Sequence, residues 1–154
     1  MESSVSYRLA HIQDLERLAL LFDAYRQFYL CPPDLAAAKN WLRLNFEKER
    51  STIFVADTGS KLIGFTQLYP ALCSVDLVKY FVLYDLYVVE GARRQGIARL
   101  LMNAASAWAK RQGAARLDLE TARDNAAGQT LYRSLGYKLD EVFLKFSLDL
   151  TEPL

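Results

Sequence analysis

The sequence is poor in metal-ligating and redox-active side chains: it has one histidine, His11, and two cysteines, Cys31 and Cys73, among 154 residues. Two distant thiols make no disulfide framework, and with a single imidazole they make no zinc site, so no metal and a reducing, cytoplasmic setting are expected. Charge of one sign is also scarce, since 19 Lys and Arg face 18 Asp and Glu, a net charge of +1. Such a chain has no overall field for nucleic acid, and none is expected as a partner; any anion site must be built locally. No run of about 18 apolar residues occurs, and residues 1–14 lack the basic start and apolar stretch of a leader, so a soluble protein with no membrane partner is expected. The four prolines and seven glycines are confined to short turns. With no linker or repeat to divide it, the chain reads as one domain, 1–154, long enough to bury roughly two-thirds of its unfolded surface.

What is present is periodic. Residues 5–9 read as a short strand, and from Asp14 the apolar positions Leu15, Leu18, Phe22, Tyr25 and Tyr29 recur at helical spacing, with Leu21 and Phe28 beside them. Cys31-Pro32-Pro33 ends that helix, and Asp34 can cap a second, which carries Ala38, Trp41 and Leu42 on one face. Residues 51–57 and 62–69 read as a hairpin. Residues 77–89 are almost wholly apolar, as befits a central strand covered on both faces, and Asp85 is the chief exception. A turn over 90–96 leads into a helix marked by Ile97, Leu101, Ala104 and Trp108. A strand over 116–121, a helix over 126–135 closed by Gly136, and two strands within 137–150 complete the order β-α-α-β-β-β-α-β-α-β-β. That order predicts an α/β fold, a single three-layer domain around a mixed, mostly antiparallel sheet with parallel neighbours in the middle.

Two constellations could carry chemistry. The first is Arg93-Arg94-Gln95-Gly96-Ile97-Ala98-Arg99 at a helix start. Backbone N–H groups there lack intrahelical acceptors, the dipole is positive, and guanidinium groups bind phosphate oxygens in pairs, so the segment suits a phosphate. The bland alternative is a solvated basic turn with glycine serving a positive φ. Neither the GxxxxGK[ST] nor the GxGxxG nucleotide motif is present. The second constellation is Asn125 with Tyr132 seven residues on, two helical turns along one face. On spacing alone, Asn125 reads as a helix cap and Tyr132 as a packed residue with its hydroxyl at the rim.

Taken together, Leu86-Tyr87-Val88 on a strand, the 93–99 segment opening a helix, then Asn125 and Leu131-Tyr132-Arg133-Ser134-Leu135-Gly136-Tyr137 resemble the GNAT acetyltransferases. The likeness runs nearly end to end. Residues 21–29 and Thr66-Gln67-Leu68-Tyr69-Pro70 are further similar to the branch that includes histone and polyamine acetyltransferases. The resemblance implies acetyl-CoA as acetyl donor, with its diphosphate on the loop of Arg93, Arg94, Gln95, Gly96, Ile97, Ala98 and Arg99. It also implies a splayed central strand pair, a pantetheine arm paired with Leu86, Tyr87 and Val88, Asn125 holding that arm, and Tyr132 near the sulfur. An amide-bearing arm adding to an open strand edge, ending at a helix N-terminus, is physically consistent.

Acetyl transfer to an amine must supply a neutral amine, stabilise an oxyanion and protonate a thiolate. An alkyl amine of pKa ~10.4 is neutral in about one molecule in 2,500 at pH 7, a penalty of roughly 4.6 kcal/mol. Glu120 is a candidate base and equally an ordinary strand residue; Asp85 competes for the role, although a buried carboxylate more often serves structure. Tyr132 is the candidate acid, and a backbone N–H near Val88 the oxyanion donor. Direct attack in a ternary complex is expected, because neither cysteine has a neighbouring imidazole in sequence. Tyr25, Phe28 and Tyr29, with Asp23, Tyr69, Tyr80 and Asp85, could line a cleft for a cationic amine: a polyamine, a peptide or protein amine, or an aminoglycoside. A non-catalytic acyl-CoA sensor is the alternative. The apolar segment 143–148 predicts a homodimer that covers the edge of its last strand.

Overall fold

Five strands lie side by side in the order in which the chain makes them. The computed structural model describes residues 4–151 and 153. Strands β1 (Ser6–Leu9), β2 (Thr52–Asp57), β3 (Leu62–Cys73) and β4 (Val78–Val88) form an antiparallel meander, and β5 (Leu117–Asp118) joins β4 in parallel. The helices are α1 (Leu15–Phe28), α2 (Leu35–Glu47), α3 (Ile97–Arg111) and α4 (Ala126–Ser134). The parallel pair is thus at the edge of this sheet and not in its middle. The chain divides into two compact units, residues 1–120 and 121–154.

Alternation along the strands separates the two faces of the first unit. Ile53, Val55 and Phe65 pack with Leu18, Phe22, Ala38 and Leu42 of α1 and α2. On the other face, Trp108 of α3 meets the rings of Phe54 and Phe81, with centroids 6.2 and 4.9 Å away. Each buried Leu or Phe contributes about 1.5–3 kcal/mol relative to its exposed state. Gly64 sets how closely α3 approaches: a Cβ there would lie 3.0 Å from the Tyr87 carbonyl oxygen and 3.2 Å from Leu101 Cδ1.

Polar residues fix the turns. The Asp34 carboxylate accepts the Ala37 N–H at 3.0 Å and caps α2, as its position after two prolines predicts. Asp23, expected as a cleft residue, is spent on the α1–α2 connection, accepting the Asp34 N–H at 3.0 Å and the Gln27 side-chain amide at 3.2 Å. Arg8 of β1 grips Asp14 with two 2.8 Å bonds and reaches Asp57 of β2 at 2.8 Å, tying the first strand to the start of α1.

Strand β4 carries the irregularity that matters most. Gln67 pairs with Asp85 but Leu68 pairs with Leu83, so Tyr84 is an extra residue, a β-bulge that bends β4. Pairing with β5 is limited to Phe81–Leu117 and Val82–Asp118, just before the bulge. This is why β5 has two residues where alternation predicts six: the bent β4 no longer offers it an edge.

In the second unit, Asn125 caps α4 through its Oδ1, which accepts the Gly128 N–H at 3.0 Å. The two strands expected within 137–150 are not found; among the described residues that segment has no regular secondary structure. Its alternation is strand-like, but a strand exists only where a neighbouring edge completes its ladder, and no such ladder forms here. Leu139, Val142, Phe143, Leu144, Phe146, Leu148 and Leu150 are in consequence 70–88% exposed. No helix among the described residues is long and apolar enough to cross a membrane.

Candidate active site

The bend in β4 leaves a strand edge open beside a helix start. Val89 N–H donates to the Ile63 carbonyl at 2.9 Å, so alternation turns the backbone groups of Tyr87 toward β3 and those of Leu86 and Val88 to the opposite edge. Beyond Val82, β5 does not pair with that edge. A short turn, Glu90–Ala92, then leads to α3. Arg94 and Gly96 adopt left-handed conformations, φ 63° and 77°, and no side chain caps the helix. At the start of α3, Leu100 N–H donates to the Gly96 carbonyl at 3.1 Å, and the N–H groups of Gly96, Ile97 and Ala98 before it have no acceptor within the helix. A Cβ built on Gly96 meets nothing within 4 Å. Positive helix end, left-handed turn and open space are the features that an anion site needs, at the segment where the sequence analysis expects one.

Arg93 departs from its expected place on that loop. Its Nε donates to the Val88 carbonyl at 2.9 Å, and its guanidinium lies over the rings of Phe28 and Tyr87, 5.4 and 5.6 Å from their centroids. It therefore closes one acceptor of the open edge. Around it, the structure brings together three of the expected cleft residues. Tyr25 is half-buried against Phe65, Tyr29 and Tyr87, with ring centroids 5.5, 5.2 and 5.9 Å away, whereas Phe28 and Tyr29 are largely exposed. Tyr80 lies apart, under Arg116 at 4.1 Å near the far end of β4.

Asp85, 5% exposed, sits at the inner end of a polar chain that crosses four elements. Its Oδ2 accepts the Gln67 side-chain N–H at 2.8 Å, and the Tyr25 hydroxyl also donates to it. Gln67 Oε1 accepts from Asn45 Nδ2 at 2.8 Å and from Ser51 Oγ at 2.7 Å. Asn45 Oδ1 accepts from Arg50 Nε at 2.9 Å, and Asn45 Nδ2 and Trp41 Nε1 both donate to Tyr69 Oη, at 3.3 and 3.2 Å. Burial pushes Asp85 above the ordinary carboxylate range, partly opposed by the hydrogen bonds from Gln67 and Tyr25. Burial and the adjacent Asp85 charge push the Tyr25 phenol up. Asp85 is thus a buried, hydrogen-bonded carboxylate one residue before the open edge at Leu86. Sequence reasoning missed Trp41, Asn45, Arg50 and Ser51 as members of this site. The available signal was a pair of polar interruptions, Gln67 and Asp85, in two adjacent apolar strands.

The second unit holds the remaining two expected residues. Asn125 uses both ends of its amide locally: Oδ1 on Gly128 N–H, and Nδ2 donating to Thr121 Oγ1 at 2.9 Å. Tyr132 lies on α4 with its ring edge-on to Tyr137, centroids 6.2 Å apart. Burial, and then the neighbouring Tyr132, push the Tyr137 phenol up to about 12. Glu120, at the end of the first unit, is exposed two residues past β5.

Residues 15–137 match the acetyltransferase (GNAT) family. An uncharacterised N-acetyltransferase of Bacillus subtilis, YhfO, is 37% identical over 145 residues, which cover 94% of this chain and 97% of that protein. A solved structure of a probable acetyltransferase superposes with a TM-score of 0.89 at 33% identity, over 96% of this chain and 99% of the other. An aminoglycoside N-acetyltransferase solved in complex with CoA shares the fold at 18% identity, with a TM-score of 0.81 over 96% of this chain and 97% of that one. The left-handed turn that opens α3 and the bulged, splayed β4 fall within the matched span, and the chain belongs to the GNAT family of acetyltransferases.

Proposed function

We propose that this N-acetyltransferase transfers the acetyl group by direct attack of a primary amine on acetyl-CoA within a ternary complex, with residues 1–154 acting as one domain. The observation that carries this reading is the open β4 edge at Leu86 and Val88, which runs into the uncapped, left-handed turn at Arg94 and Gly96. Acetyl-CoA supplies an activated thioester, a diphosphate and a linear amide-bearing arm. The backbone of Leu86 pairs with the arm, Val88, whose carbonyl already accepts from Arg93, keeps its N–H for the reacting carbonyl, and the N–H groups of residues 96–98 with Arg94 and Arg99 hold the diphosphate. Gln95 completes the turn, and Asn125 braces the arm from α4. The amine nitrogen forms its bond to the acetyl carbon as the carbon–sulfur bond breaks. Val88 N–H donates to the carbonyl oxygen as it gains charge, Tyr132 gives its phenolic proton to the departing sulfur, and the amine proton leaves through Glu120 or water. Tyr25, Phe28 and Tyr29 line the acceptor side, and Asp85 holds Tyr25 in place. The setting is cytoplasmic.

Thiol release from acetyl-CoA over a panel of amines tests the reading, since a mere acyl-CoA sensor gives no amine-dependent release. Gly96→Val tests the loop: it strains a φ of 77° and places a branched side chain in the open anion site, so CoA affinity should fall at least tenfold by calorimetry; unchanged affinity refutes the assignment. The exposed apolar residues of 143–148 support a homodimer formed through that segment. Light scattering at micromolar concentration should give twice the 17.5 kDa chain mass, and a monomer overturns it.

A further inference from the structure

The polar chain that ends at Asp85 has a second end, and there two donors have nothing to donate to. Arg50 Nη2 is buried without a hydrogen-bond partner, and no carboxylate among the described residues lies within ion-pair distance of that guanidinium. The Tyr69 oxygen accepts from both Trp41 and Asn45, which occupies its two lone pairs, and its own O–H has no acceptor among the described residues. Only the Asn45 amide separates them, receiving Arg50 on its oxygen and giving a proton to Tyr69 from its nitrogen. A buried donor without a partner costs about 1–3 kcal/mol, more when charged, and that penalty falls on Arg50 Nη2; with the half-buried Tyr69 hydroxyl as a second donor nearby, the end of the chain suits an acceptor with negative charge. Two exposed side chains flank it: Trp41 lies across Arg50 at 5.0 Å and is 47% exposed, and Tyr84, on the bulge, lies edge-on to Tyr69 at 5.7 Å and is 68% exposed.

We propose that Arg50 and Tyr69 bind the carboxylate of the acceptor, and that the acceptor is therefore an amine that also carries a carboxylate, an amino acid or short peptide. The inference rests on the transfer reading above and narrows it. One carboxylate oxygen takes the Arg50 Nη2 hydrogen and the other the Tyr69 hydroxyl, filling both donors with a single planar group. The rigid Asn45–Gln67–Asp85 chain fixes their distance from β4, whose open edge begins one residue past Asp85. A polyamine has no group for this end, and its charge would face Arg50.

The test uses matched pairs with the intact protein: lysine against lysinamide, and 4-aminobutyrate against its amide, with spermidine as the polyamine. The expected result is a kcat/KM at least tenfold higher for the acids, a preference lost in Arg50→Gln and reduced in Tyr69→Phe, with CoA affinity unchanged in both. A separate readout needs no turnover: the indole N–H signal of Trp41, bonded to Tyr69, should shift on titration with 4-aminobutyrate and not with its amide. If Arg50→Gln fails to fold, Tyr69→Phe and the indole titration still decide. Equal use of acids and amides, or spermidine preferred, overturns the carboxylate assignment and leaves acetyl transfer standing. Acetylation of no amine at all, with CoA still bound, overturns the transfer reading itself, and an unmoved indole signal then removes the carboxylate site as well.

Discussion

Replacing Gln67 by Leu removes the middle of the polar chain while leaving its volume nearly filled. Gln67 is fully buried and makes three side-chain hydrogen bonds, to Asn45, Ser51 and Asp85. In the variant one Asn45 N–H is stranded, at about 1–3 kcal/mol, and Asp85 loses a bond to a charged acceptor, at about 1.5–3 kcal/mol; Ser51 is half-buried and can turn to water. The expected loss is about 3–5 kcal/mol, or roughly 10–15 °C in Tm for a chain of this length. The loss must also depend on pH. Asp85 already titrates above its ordinary range, so its contribution to stability is full below about pH 4 and declines as pH rises through the folded value. Without the Gln67 hydrogen bond that folded value moves higher, and the charged form costs more. Urea unfolding at pH 5 and pH 8 should therefore give the larger deficit at pH 8. The double variant Gln67→Leu with Asp85→Leu should recover part of the loss, because it leaves no charge to strand. A deficit below about 1 kcal/mol, or one identical at both pH values, refutes the reasoning.

Asp14 behaves oppositely: the two Arg8 hydrogen bonds, with help from His11 N–H and Arg17, hold its carboxyl well below the usual range. Its contribution is present above about pH 4 and lost as pH falls further, so Asp14→Asn should cost about 3 kcal/mol at pH 7 and lose less than wild type between pH 5 and pH 2; parallel acid profiles would argue against the ion pair as the cause. Tyr132→Phe keeps the ring that meets Tyr137 edge-on and removes only the hydroxyl, so kcat should fall by about 10² or more with KM for acetyl-CoA little altered. Wild-type kcat with a lowered Tm would make Tyr132 a structural residue.

Local rules carried most of the fold. Asp34 after two prolines caps α2 where expected, and α1, α3 and α4 lie within two residues of their periodic segments. The left-handed turn that opens α3 is legible for the same reason, because a helix start, a glycine and clustered arginines are contiguous. Strand extents were less legible, since they depend on partners. Strand β3 runs four residues past its expected end because β4 continues to pair with it as far as Cys73–Val78, whereas β5 stops at two residues because the bulge at Tyr84 turns β4 away. Nothing in the local alternation of residues 116–121 or 137–150 encodes whether an edge will be there to meet it.

Arg93 and Arg50 carry the same limit into the site. Arg93 belongs by sequence to the basic loop, yet its Nε is held by a carbonyl five residues back and its charge lies over two aromatic rings, one of them contributed by α1. Arg50 lies in the connection after α2, and only the meeting of α2 with β3 makes it the end of a buried chain. An arginine's role follows from which acceptors tertiary packing leaves within reach of its fork. Clustering in sequence is enough to single out the proposed diphosphate loop, because backbone N–H groups, which every residue carries, would do much of the binding there. The proposed acceptor side draws on side chains of α1, α2, β3 and β4, whose convergence no spacing rule contains, so that is where the structure adds most to the reading of function.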